Sequence, residues 1–297
     1  MCYNICIHIK KVINYYKMNI QSIISNLQKF WNKQGCTILQ SYDVENGAGT
    51  FNPATFLFIL GDITPWNVAY VEKSRRPSDG RYGMNPQRLQ SYYQFQVIMK
   101  PVPSNIQLIY INSLKYIGCN SEENDIKFIE DNWESPTLGA YGIGWEVWLN
   151  GTEITQFTYF QHICGIHLSP VPIEITYGIE RIAMHLQHKS NIYDLQWSDN
   201  ISYKNLYLEC EKQWSQYNFE RSNVKMLKQH FDDWEQEAYR LLSNNLSIPA
   251  YDAVVKCSHL FNLLDARKAI SIAERTDYIL RVKAIAKLVA ENYINNI

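Results

Sequence analysis

The sequence predicts an α+β fold, an antiparallel sheet flanked by helices and followed by a C-terminal helical region, and three observations predict it. Strand-like runs at 68–71 and 92–99 enclose a loop rich in Pro, Asp and Gly at 77–86, as antiparallel neighbours do. A second pair of runs, 145–149 and 153–160, flanks the hairpin-turn dipeptide Asn150-Gly151. From about Asn205 the strand signals fade, and only helical patterns remain.

Taken in order, residues 1–17 hold short apolar pieces broken by Lys10 and Lys11, and read as an N-terminal extension. They lack the apolar stretch of a secretory signal and the Arg- and Ser-rich pattern of a transit peptide. Ile20, Ile23, Ile24, Leu27, Phe30 and Trp31 recur at helical spacing, with Gly35 as the stop. A short strand at 36–40 and the loop Gly47-Ala-Gly-Thr50 follow. The apolar run at 56–60 serves equally as core or as a subunit interface. Residues 18–200 are expected to form one sheet-based core. The rest, 201–297, reads as helices at 206–242 and 250–293, separated by Asn244-Asn-Leu-Ser-Ile-Pro249.

With 46% hydrophobic and 19% charged residues in 297, the chain is globular rather than disordered, and no apolar run approaches the roughly 20 residues that cross a bilayer. No membrane association is expected. A formal charge of −1 argues against strong nucleic-acid binding by this chain alone, since phosphate neutralisation takes clustered Lys and Arg. Seven scattered cysteines without a C-x-x-C pair suggest reduced thiols in the cytoplasm, with no zinc site and no disulfide framework.

The segment Glu174-Ile-Thr-Tyr-Gly-Ile-Glu-Arg181 places a glycine and an arginine at a strand-to-helix junction. Glycine lets backbone approach a ligand, and an arginine in the first helical turn stands where amide donors already favour phosphate. Upstream, Ser74-Arg-Arg-Pro-Ser-Asp-Gly-Arg-Tyr-Gly83 leads into Gln90-Ser-Tyr-Tyr-Gln-Phe-Gln96. Together these resemble the second and third signature motifs of class II aminoacyl-tRNA synthetases. Further runs, among them Gly47-Ala-Gly-Thr50, Ile129-Glu-Asp-Asn-Trp-Glu-Ser-Pro-Thr137, Gly144-Trp-Glu-Val-Trp-Leu-Asn-Gly151 and Asn262-Leu-Leu-Asp-Ala-Arg-Lys-Ala-Ile-Ser271, resemble the alpha subunit of the bacterial heterotetrameric glycyl-tRNA synthetase. The resemblance runs from about Met18 to the C-terminus.

The resemblance implies ATP as substrate, Mg2+ as its metal, an alpha–alpha homodimer joined to a beta subunit as alpha2beta2, and tRNA(Gly) contacted mainly through that partner. It implies activation of glycine to glycyl-adenylate and transfer to the tRNA 3′ end, with the adenylate phosphate able to serve as base. Arg75 and Arg76 alternate across a strand, so one of them faces the ligand; Arg75 is preferred for the α-phosphate and carboxylate. Arg181 is expected on the γ-phosphate, and Arg81 over the nucleotide or the acceptor end. Gln94 and Gln96 are candidates for the adenine and phosphate region, with Phe95 stacking on the base. Glu174 is the candidate for the glycine ammonium, Gln156, Thr158 and Gln161 for hydrogen bonds, and Trp148 or Trp145 for the wall excluding larger side chains. Glu146, with Glu153 beside it, is the magnesium candidate.

Three positions depart from the resembled pattern. Ser91 stands where histidine is usual, Phe58 where arginine is usual, and Ile173 where glycine is usual. The alternative they raise is a synthetase-like subunit that has lost catalysis and acts as a regulator or scaffold. An adenylating ligase that uses no tRNA is a third reading.

Overall fold

The computed structural model describes residues 18–296, so the reading of residues 1–17 as an extension lies outside the described residues. The described residues open with helix α1, Ile20–Lys33, whose first turn is capped by Asn19, the side chain accepting the Ser22 amide at 2.8 Å. Its apolar stripe is buried, and Gly35 ends it at φ +89°, the left-handed conformation open to glycine. Strand β1, Thr37–Ile38, comes next, then a long loop, the short helix α2, Pro53–Phe56, and strand β2, Trp66–Arg75.

Strands β3, Ser91–Lys100, β4, Ile126–Ser135, β5, Ala140–Leu149, β6, Thr152–Ile163, β7, Ile166–His167, and β8, Ile173–Gly178, complete one eight-stranded sheet. The order is β1-β2-β3-β8-β6-β5-β4, with β7 attached to β6. Both expected hairpins form, Val68 opposite Ile98 in one and Leu149 opposite Thr152 in the other. The sheet is mixed rather than wholly antiparallel because β1 pairs parallel with β2, and the excursion through α2 supplies the crossover a parallel pair needs. Strand β4 is not evident in the sequence as a strand. It lies at a sheet edge and carries Lys127, Glu130, Asp131 and Glu134, which blur the alternation a half-buried strand shows.

One face of the sheet is covered by α1, by α3, Ile106–Tyr116, and by α4, Ile179–Leu186, around Phe95, Val97, Phe157, Ile175 and Tyr177. Tyr177 is fully buried and its hydroxyl accepts the Trp31 indole N–H at 3.1 Å, which ties α1 to β8. Part of the other face is covered by the C-terminal helices, in a cluster that includes Tyr70, Ile98, Phe160, Val254, Leu264 and Ile285. The rest of that face is left open, and there the cavity described below forms.

The C-terminal region is more divided than its sequence reading. The expected helix at 206–242 is α5, Tyr203–Gln216, a π-helical turn over Tyr217–Arg221, and α6, Val224–Leu242, restarted by Asn223 as an N-cap. The expected helix at 250–293 is α7, Ser247–Ala266, and α8, Ile272–Asn295, parted at Lys268 with φ +52° and restarted by a Ser271/Glu274 capping box. Apolar periodicity continues across both breaks, which is why the caps decide. None of the helices among the described residues is long and apolar enough to cross a membrane.

The run at 56–60 is largely core: Phe56, Leu57 and Ile59 are fully buried, and Phe58 sits edge-on to Trp66 at 5.8 Å. Phe56 stacks on Tyr251 of α7 at 4.7 Å, and so joins the loop region before β2 to the C-terminal helices. Replacing Phe56 with Ala should cost about 3–5 kcal/mol of stability, the usual range for a deleted buried aromatic. A lower urea midpoint with an unchanged slope is the expected reading.

Candidate active site

A cavity of about 780 Å³ lies on the open part of the second face. Its floor is made by side chains of period two on adjacent strands. Gln96 stands opposite Thr176, and Thr176 opposite Gln156; one step along, Glu174 stands opposite Thr158. Glu174, Thr176, Gln156 and Gln94 line the cavity, with Thr50 and Ala48 brought in from the loop before α2.

Glu174 is 2% exposed. Its carboxylate accepts the Thr50 hydroxyl at 2.8 and 3.1 Å and the Gln96 amide at 2.6 Å. Burial pushes its pKa up to about 7, against the opposing pull of those hydrogen bonds. Both donors are neutral, so the negative charge is solvated by dipoles but not balanced.

The loop carrying Thr50 is held in three ways. Gly49 donates its N–H to the Gln94 side-chain oxygen at 2.9 Å, and its carbonyl accepts the Tyr70 hydroxyl at 3.0 Å. A Cβ on Gly49 would lie 2.3 Å from Cγ of Gln96, so only glycine lets the loop approach the floor this closely. Glu72, 1% exposed on β2, accepts the Tyr42 amide at 3.2 Å, Asn52 Nδ2 at 2.9 Å and Asn46 Nδ2 at 3.4 Å. One buried carboxylate thereby pins both ends of the loop.

Of the two neighbouring arginines, Arg76 and not Arg75 lines the cavity. Arg76 donates Nε to the Gly47 carbonyl at 3.0 Å and lies over the Tyr92 ring at 5.4 Å. Arg75 alternates to the far side of β2, where it pairs with Glu45 at 3.2 Å and covers Trp214. Ser91, opposite Arg75 in the ladder, shares with it a separate small hollow. A contact from position 91 to a ligand in the large cavity is therefore not what the geometry offers.

Arg181 projects into the cavity from the first turn of α4, and its Nη1 bonds the Glu153 carboxylate at 2.7 Å and the Glu153 carbonyl at 2.9 Å. Arg81 does not line the cavity; its guanidinium turns back to the carbonyls of Ser78 and Gly80. Arg88 lines it instead, held by Asp79 at 2.6 Å. With Arg181 and Lys189 it gives the exposed part of the lining a cationic mouth, while Glu174 is buried. His185 also lines the cavity, its pKa lowered by burial and by His188 beside it, so it adds a neutral imidazole.

The expected aromatic contacts are displaced. Phe95 points to the other face, fully buried and edge-on to Tyr177 at 5.9 Å, so it offers no stacking surface to a base in the cavity. Trp148 donates its indole N–H to Glu146 at 2.9 Å, Trp145 packs edge-on against Tyr159, and none of the three lines the cavity. The tryptophan that does is Trp133 of β4, set edge-on to Phe160 at 5.3 Å. Gln156 lines the cavity and donates to Asp131 at 2.5 Å. Thr158 is buried below the lining, its hydroxyl unpaired, and Gln161 turns to the Tyr159 carbonyl.

Trp133 is not legible as a cavity residue in the sequence because the charges on β4 mask it as a strand, although the run carrying Trp133 belongs to the resembled pattern. Thr176 was legible in principle, two residues from Glu174 on one strand. For magnesium, no group of three or more His, Cys, Asp or Glu that could hold a metal is found among the described residues. Glu146 is engaged by Trp148, and the one acidic candidate on the lining, Glu153, is engaged by Arg181. Chemically, the site can take a small cation at Glu174 and a polyanion at its mouth.

A family model described as "Glycyl-tRNA synthetase alpha subunit" matches residues 20–297. Among solved structures the chain is similar to a pyrrolysyl tRNA synthetase of Desulfitobacterium hafniense, PylSc, at 12% identity, covering 66% of this chain and 81% of that one with a TM-score of 0.42. A second structure of pyrrolysyl-tRNA synthetase from that organism is similar at 11% identity over 66% and 79%, with a TM-score of 0.41.

The raised pKa of Glu174 has a definite sign in stability. Between the ordinary carboxylate value and about 7 the folded state holds a proton that the unfolded state has lost, so this residue's contribution falls as pH rises through that window. Above pH 7 the unliganded Glu174→Gln chain should exceed the wild type by on the order of 3 kcal/mol, and the gap should close towards pH 4.5. Urea unfolding of both chains across that range checks it.

Proposed function

The chain belongs to the glycyl-tRNA synthetase alpha subunit family, and from that membership we propose that its cavity activates glycine with ATP to glycyl-adenylate and passes the glycyl group to the 3′ end of tRNA(Gly). It is an aminoacyl-tRNA ligase subunit, and the alpha designation implies a beta-subunit partner and tRNA. The observation that carries the proposal is Glu174, a buried carboxylate with neutral donors only, at the inner end of a cavity whose mouth is cationic.

An ammonium at Glu174 completes the charge that burial leaves unbalanced, and it favours the ionised form. Glycine then lies with its carboxylate towards Arg76, while Thr50, Ala48 and Trp133 occupy the space around its α-carbon. Selectivity comes from that wall, since glycine has no side chain to grip. The carboxylate attacks the α-phosphate in line and pyrophosphate leaves; Arg76 bridges the two reactants and Arg181 holds the terminal phosphate. Arg181 reaches it by leaving Glu153, an exchange between half-exposed groups that costs little.

Magnesium is taken to enter as the ATP complex, as substrate, and no step is derived through it. Transfer needs no side-chain base, as the adenylate phosphate can accept the hydroxyl proton. An alpha–alpha homodimer within alpha2beta2, a cytoplasmic setting and tRNA contact mainly through the beta subunit complete the reading. Against the degenerate-scaffold alternative, Ser91 lines the small hollow it shares with Arg75 and not the large cavity.

ATP–pyrophosphate exchange by the complex with the beta subunit tests the proposal, with glycine, alanine and serine offered in turn. Exchange with glycine alone is expected; none with any of the three, from an assembled complex, would remove it. Glu174→Gln should raise the glycine KM about 100-fold with little change for ATP, and Arg181→Ala should lower kcat/KM for ATP about 100-fold. In the wild type the glycine KM should climb as pH falls below about 7, where Glu174 takes up its proton; the Gln variant should lose that dependence.

A further inference from the structure

On the reading of the cavity as an ATP site, we infer that Glu211 is a positioning residue, whose carboxylate, from outside the cavity, fixes the loop 81–90 that forms one wall of the nucleotide end. Glu211 lies on α5 and is 3% exposed. One oxygen accepts the backbone N–H of Arg81 at 2.9 Å, and the other accepts that of Gln90 at 3.0 Å. These two amides bracket Asn85, Gln87 and Arg88, which line the cavity. A single carboxylate thus closes the neck of the loop, beside the Arg76 amide bonded to the Gln90 carbonyl at 2.6 Å.

The surrounding contacts press the loop onto the same helix. Ser215, one turn on, donates to Glu211 and accepts the Tyr82 amide at 3.0 Å. A Cβ at Gly80 would fall 2.8 Å from the Ser215 oxygen, and one at Gly83 2.5 Å from Leu208. Tyr82 is held at φ +53°, a conformation a tyrosine adopts only when its surroundings impose it. A buried charge is a strong acceptor for backbone N–H, and no neutral side chain of the same size offers two such oxygens. Helix α5 itself contributes nothing to the lining, so Glu211 can reach a ligand only through the loop.

The test compares Glu211→Gln, the milder Ser215→Ala, and Glu209→Gln as an exposed control on the same helix, each in the complex with the beta subunit. Glu211→Gln keeps the shape but turns an NH2 group onto one of the two amides. Its ATP KM in glycine-dependent exchange should rise about tenfold while the glycine KM stays within about twofold. Trypsin should cut after Arg81 or Arg88 faster than in the wild type, and saturating ATP should slow that cutting. Ser215→Ala should shift both readouts the same way by less, and it carries the test if Glu211→Gln does not fold. Equal changes in the two KM values, or unchanged cutting in a folded variant, or an equal effect from Glu209→Gln, would overturn the inference. Absence of exchange in the wild type would sink the reading of the site instead, and the trypsin comparison would still decide whether Glu211 holds the loop.

Discussion

A carboxylate with no countercharge, buried at the meeting of two strands and a loop, is the constraint on which the site depends. Glu174 costs free energy to ionise where it stands, and three neutral contacts from Thr50 and Gln96 are what soften that cost. Each contact needs its own support. Thr50 reaches Glu174 only because Gly49 lets the loop lie against Gln96, and Gln96 points at Glu174 because β3 and β8 pair in the observed register. A slip of β8 by one residue in that ladder would turn Glu174 to the opposite face and put Ile173 or Ile175 in its place beside Gln96.

Three more buried glutamates repeat the device around the cavity, Glu180 on its lining and Glu72 and Glu211 behind it. Glu72 pins the loop before α2, Glu211 closes the loop after β2, and Glu180 joins β3 to the C-terminal helices by accepting the Tyr93 amide and the Tyr203 hydroxyl, both at 2.9 Å. Burial raises the pKa of each, that of Glu180 to about 7. What separates Glu174 from the others is its partners. The other three each receive at least one backbone N–H and so act on the course of the chain, whereas the contacts of Glu174 come from side chains. A backbone donor cannot be exchanged for a ligand without moving the chain; a side-chain donor can.

The fold was legible where turn chemistry and periodicity agree, as at Asn150-Gly151 and along α1, and it was not where charge masked alternation or where a cap interrupted continuous apolar spacing. Strand β4 and the split of both C-terminal helices are the instances. For the site, the family resemblance pointed to Glu174, Gln94 and Gln156, and the pairing of β3, β8 and β6 is what brings these three onto one lining. The sequence preference for Arg75 over Arg76 is reversed by the structure, since period two says that they part but not which way. Nor could the sequence find that Arg81 is turned inward on its own loop and Arg88 is the one presented, a matter of loop conformation set by α5, more than a hundred residues downstream.

The two charges at the ends of the cavity are held in opposite ways, and the difference bears on how the proposed reaction would be ordered. Arg181 is about half exposed and already paired with Glu153, so its charge is satisfied before any ligand arrives and can be transferred at little cost. Glu174 is buried and unpaired, so its charge is satisfied only by a bound cation. Binding of an ammonium is thereby coupled to loss of the proton that burial favours near neutral pH, while binding of a polyphosphate is coupled only to a change of partner at the mouth. On the proposed reading, recognition of glycine is concentrated in the buried inner end, where a misplaced group meets an unbalanced charge, and the grip on ATP lies on exposed groups already paired with carboxylates. On the same reading, an amino acid whose larger side chain pushed Thr50 aside would strip the carboxylate of a donor it needs.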